Sequence, residues 1–190
     1  MSKNFIVLSE QQTEWMRRAV KQMIELAGYY SLTKFPMDEA DCDNIVNTFS
    51  SYTKKSRNNG MIIHCANALS EYLERIGNQT GKYSKLDVHQ MRQIEVFADE
   101  QFVIAGKWQQ TVKNTDDLQE AKRELRDCVG RYPEHELVDD LSDMFQNYLD
   151  FCLKENLGKQ LLEQKQSEAE GREPPNNGRR EPEKKYTKIR

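Results

Sequence analysis

Three groups of residues in this chain have the types and spacing to do chemistry. The first is Arg57-Asn58-Asn59-Gly60-Met61-Ile62-Ile63-His64. A guanidinium steadies charge that develops on phosphate and an imidazole titrates near neutrality, so the two held together suit phosphodiester cleavage by acid/base chemistry. The second is a set of carboxylate pairs, Glu71 with Glu74 and Glu95 with Asp99. Carboxylates three or four residues apart share a helix face, and two such pairs can hold a hard cation. The third is a stripe of like charge, Glu136, Asp139, Asp140, Asp143 and Asp150, set opposite the apolar residues Leu137, Leu141 and Met144. Such a stripe offers a negative surface to a basic protein, or imitates a phosphate backbone.

The string from Arg57 to His64 resembles the R-x(4–6)-H signature of the HEPN family of all-helical ribonucleases. That resemblance implies metal-independent RNA cleavage at a dimer interface, with Arg57 and His64 as the catalytic pair. Glu71-Tyr72-Leu73-Glu74 and Glu95-Val96-Phe97-Ala98-Asp99 are similar to the ExxE…ExxD magnesium site of helical nucleoside-triphosphate pyrophosphatases. The second half reads ExxxD where that pattern has ExxD, and no metal ligand is expected from it. Glu-x-x-His is absent, the three histidines (His64, His89, His135) have no zinc-type spacing with the cysteines, and no G-x-S-x-G or glycine-rich phosphate loop occurs. No metal and no cofactor are expected. Enzymatic activity would rest on Arg57 and His64 alone, and the reading leans away from an enzyme.

Charge distribution points to partners instead. The net charge of −3 conceals a division: residues 115–164 hold 6 Lys/Arg against 13 Asp/Glu, whereas residues 165–190 hold 8 against 5. The acidic stripe is the candidate surface for a protein partner. Lys54, Lys55 and Arg57 are candidate nucleic-acid contacts, and the basic tail ending Lys184-Lys185-Tyr186-Thr187-Lys188-Ile189-Arg190 has the same sign. A seam of Leu137, Leu141, Met144 and Tyr148 offers either packing onto the body or homodimerisation. With no apolar run near the roughly 20 residues a bilayer needs and no CxxC pair among Cys42, Cys65, Cys128 and Cys152, a cytoplasmic, reduced protein with no membrane contact is expected.

The elements that must position these residues are helices. Gly28, Gly60, Gly77, Gly106, Gly130 and Gly158 each stand where helix-spaced apolar residues stop, which predicts about six helices closed by glycine. Ser9 and Gln12 form a capping box before an apolar face over residues 10–27. Pro36 with Asp38, Glu39 and Asp41 starts a second helix buried through Ile45, Val46, Phe49 and Tyr52, and Met61 to Ile76 has the broad apolar face of a central one. Gly77 to Gly81 reads as a loop, Ser84 opens a fourth helix, Thr115-Asp116-Asp117 caps a fifth and Pro133 starts the sixth. From residue 165 onward core-forming side chains nearly vanish. The expectation is a compact all-α bundle of five to seven helices over residues 1–164, followed by a disordered charged tail, 165–190. Its function is that of a small helical interaction protein, regulatory and of phage or mobile-element type. The alternatives are the HEPN-like ribonuclease and a nucleic-acid-binding accessory protein.

Overall fold

A computed structural model describes residues 5–78 and 84–170, with side chains described through residues 76 and 167 respectively. Among the described residues there are six helices and no strand: α1 (Glu10–Thr33), α2 (Glu39–Lys55), α3 (Gly60–Asn78), α4 (Val88–Trp108), α5 (Thr115–Val129) and α6 (Glu136–Glu170). α1 packs against α2, α3 and α4, α2 against α3, and α4 against α5. One compact unit runs to Leu157 and a second begins at Gly158. No helix among the described residues is long and apolar enough to cross a membrane.

Local chemistry accounts for several helix starts. Gln12 N–H donates to Ser9 Oγ and Ser9 N–H donates to Gln12 Oε1, the reciprocal pair read from the sequence. Asp38 caps α2 by accepting from Asp41 N–H at 2.8 Å. The fourth start differs from the expectation. Asp87, with Gln90, forms the capping box of α4, and residues 84–87 are not helical. They serve the core instead: Leu86 is buried, and its N–H donates to the Tyr72 hydroxyl at 3.1 Å. Asn114, one residue ahead of the predicted cap, accepts from Asp117 N–H to open α5.

Glycine punctuation holds at Gly130, the C-cap of α5, and fails at most of the other positions. Gly28 lies inside α1, which continues to Thr33, and a Cβ added there would come within 3.2 Å of Met91 Cε on α4. It marks a close helix approach, not a helix end. Gly106 lies within α4, where a glycine's cost of about 1 kcal/mol is outweighed by the packing of the surrounding helix, and Gly158 lies within the exposed later part of α6. Gly60 begins α3, and Gly77 sits inside it near its end. Residues 79–81 of the predicted loop lie outside the described residues.

The end of α2 is built without glycine. Arg57 and Asn58 have φ of 55° and 59°, the left-handed region. Arg57 N–H donates to the Lys54 carbonyl at 3.0 Å and Asn58 N–H to the Thr53 carbonyl at 2.9 Å, so the turn is a Schellman closure with arginine in the position that glycine favours.

The core draws on every helix, and the first half of α6 is central to it. Leu137, Val138, Leu141, Met144, Phe145, Tyr148, Leu149 and Cys152 are all buried. Phe145 meets Phe102 edge-on at 4.8 Å between centroids, and the Tyr148 hydroxyl donates to Gln109 Oε1 and accepts from Leu8 N–H. The seam read as a possible dimer contact is therefore inside the fold. Val46, expected in the core, is 62% exposed. Beyond Gly158, Leu161 and Leu162 are exposed, and α6 continues to Glu170. Residues 171–190, the rest of the predicted disordered tail, lie outside the described residues.

Candidate functional site

His135, unassigned from sequence, determines how α6 begins. Its Nδ1 accepts from Leu137 N–H at 3.0 Å while Nε2 lies 2.9 Å from the Ser84 carbonyl, an arrangement that requires the neutral tautomer with the proton on Nε2. The ring also meets Tyr72 edge-on. With the start of α6 held in this way, its apolar side faces the core and its acidic side faces outward. Asp139 and Asp143 are exposed; Glu136 and Asp140 are half-buried beside them.

Four of the five stripe residues, Glu136, Asp139, Asp140 and Asp143, thus share the first turns of one outward face. Asp140 feels this most. Partial burial, followed by repulsion from Glu136, Asp143 and Asp139, holds its carboxyl above the usual range, with Arg75 offsetting only part of the effect. Arg75 lies 3.7 Å from Glu136 and also pairs with Glu71. The fifth stripe residue, Asp150, is used differently: Lys122 Nζ approaches it to 2.7 Å and ties α5 to α6.

Elsewhere on the bundle Glu95 is also held above the usual range, by burial and then by repulsion from Glu25, whereas Asp99, Glu100 and Glu124 are paired with donors. Arg17 makes two 2.8 Å hydrogen bonds to Asp99. Glu124 accepts from Lys107 Nζ at 2.9 Å and from Trp108 Nε1–H at 2.7 Å, and these bonds hold its carboxyl below the usual range. Glu100 accepts from the Cys128 thiol and from Arg131, both at 3.0 Å, and is likewise lowered, chiefly by the thiol bond. The thiol in turn is pushed up, first by burial and then by the carboxylate.

Arg57 and His64 do not share a helix. Arg57 is an exposed residue of the left-handed turn, whereas His64 is half-buried in the second turn of α3. The HEPN resemblance implies a pair presented together, and the break at residues 56–59 separates its two members by element. Glu71 and Asp99 are each engaged by an arginine, and among the described residues no three His, Cys, Asp or Glu side chains gather as a metal-binding group. Lys54 and Lys55 close α2, and Lys55 and Arg57 line a cleft of about 730 Å³ that also includes Trp15 and Asn59. Trp15 reads from sequence as part of the buried face of α1, yet it is 37% exposed. Compared with protein-family models, with curated proteins and with solved structures, the chain has no match.

Proposed function

We propose that this chain is a helical interaction protein that binds a cationic protein surface through Glu136, Asp139, Asp140 and Asp143 at the start of α6. The observation that carries the reading is the environment of Asp140. Its carboxyl is destabilised first by partial burial and then by Glu136, Asp143 and Asp139, whereas Glu100 and Glu124 are stabilised by the donors around them. A face that keeps like charges together is relieved when lysines or arginines dock on it, and the relief adds to affinity and to the rate of encounter. The buried side of the same helix supplies the rigid support that a binding face needs, because Leu137, Leu141 and Met144 are fully enclosed.

The test is a paired capture of protein and nucleic acid from cell extract by the wild-type chain and by a chain carrying Asp139→Lys, Asp140→Lys and Asp143→Lys. A protein held by wild type, lost from the triple variant and released as salt rises past physiological strength supports the reading. Capture that is indifferent to both changes rejects it.

A further inference from the structure

A second surface, unconnected with the acidic face, is built around the turn that ends α2. We propose that the cleft between this turn and the start of α1 binds a nucleotide unit of single-stranded nucleic acid, its phosphate on Lys55 and Arg57 and its base on Trp15.

Four observations converge there. The cleft, about 730 Å³, has the size of a small-ligand site. Its ionisable lining residues, Lys55 and Arg57, are both cations, and Arg57 offers the forked donor geometry that matches phosphate oxygens. Trp15 is 37% exposed in a position where helical spacing alone would bury it, and it lines both this cleft and a neighbouring one with Glu10, Glu14 and Arg18, so part of the indole is accessible to stacking. Asn59, only 2% exposed, lines the same cleft, and its Nδ2 has no hydrogen-bond partner while its Oδ1 is taken by Met61 N–H. A buried amide donor of this kind calls for an acceptor, which a phosphate or a base edge supplies.

The backbone adds a further argument. Arg57 occupies the left-handed closing position of a Schellman turn at φ 55°, where a side chain other than glycine or asparagine is disfavoured. Glycine would fit the turn better, so the arginine is kept there against local stability. Residues held in unfavourable backbone conformations concentrate where a side chain has work to do.

Phosphate, cation and aromatic face are the same whether the nucleotide is free or part of a strand, and the experiment separates the two. The full chain is titrated with adenosine 5′-monophosphate, with inorganic phosphate and with an eight-residue single-stranded oligonucleotide, following tryptophan fluorescence and the anisotropy of a labelled strand. The expected result is quenching by the oligonucleotide that is lost in Trp15→Leu, which retains Trp108 as its only tryptophan. Arg57→Gly should weaken strand binding at least about fivefold. The same variant should melt about 2–4 °C higher, because it relieves the turn, so lost binding cannot be put down to lost folding. Mononucleotide binding as tight as that of the strand would overturn the strand and assign the cleft to a free nucleotide. Strand binding unchanged in both Trp15→Leu and Arg57→Gly would place the contact elsewhere, on the basic segment 179–190, and overturn the site itself. Absence of binding to all three probes would do the same.

Discussion

Glu100 on α4 and Glu124 on α5 carry the same chemical group as Asp140 at the start of α6, in opposite surroundings. Glu100 and Glu124 each sit among donors, a thiol and a guanidinium for one, an ammonium and an indole N–H for the other, and both titrate below the ordinary range. Asp140, partly buried and set beside Glu136, Asp143 and Asp139, titrates above it. The difference separates two uses of acidic residues. Where donors converge on a carboxylate, the carboxylate joins elements of the fold; at the start of α6 carboxylates are grouped with one another, and Arg75 beside Glu136 offsets only part of their charge. Asp150 shows that the distinction does not follow sequence position, since it lies on α6 yet belongs with the first group through Lys122.

The comparison presumes that the side of α6 behind the acidic face is anchored. Leu141 is fully buried there and Leu161, in the second unit, is 58% exposed. Leu141→Ala should cost about 2–5 kcal/mol in denaturant unfolding and Leu161→Ala under about 1. Equal effects would mean that the first half of α6 is no better supported than its end, and the rigid-face argument would fail.

A smaller effect separates the two kinds of carboxylate directly. Glu124→Gln should destabilise by about 1 kcal/mol near neutral pH, because the bonds from Lys107 and Trp108 lose their charged acceptor. Glu124 is lowered in the fold, so its contribution is present above its unfolded pKa and disappears as pH falls through the folded one. Melting of wild type and variant should therefore converge in acid. A difference that persists at pH 2 would show that the loss is one of packing.

Asp140→Asn should act with the opposite sign and less strongly, stabilising by a few tenths of a kcal/mol at neutral pH. Asp140 is raised in the fold, so its favourable term is complete below its unfolded pKa and is lost as pH rises through the folded one. The gain from asparagine should consequently appear above the carboxylate range and vanish beneath it. A destabilised Asp140→Asn would mean that the carboxylate has a donor partner after all, and the contrast with Glu124 would collapse.

Much of the fold was legible because much of it is local. The capping box at Ser9 and Gln12, the apolar faces of α3 and α5 and the opposition of acidic and apolar sides on α6 all follow from spacing within one helix. What stayed hidden depends on contacts between helices. Gly28 resembles a helix end in sequence and is a place where Met91 comes close, and Trp15 fits the buried stripe of α1 but opens onto a cleft that the α2 turn completes. The role of His135 needs Ser84 and Tyr72, distant in sequence, and the separation of Asp150 from the rest of its stripe needs Lys122. The left-handed turn at Arg57 was masked by the glycine three residues later, which drew the expected helix end to itself.

The acidic face is tested most directly by the association rate of a captured protein partner, measured against ionic strength for wild type and for the chain with Asp139, Asp140 and Asp143 changed to lysine. The account predicts that the wild-type on-rate falls steeply as salt rises, that reversal lowers it at low salt by at least about tenfold, and that both chains melt within a few degrees of each other. A wild-type on-rate flat in salt, or one that survives the triple reversal, would contradict the claim that this face meets a cationic partner.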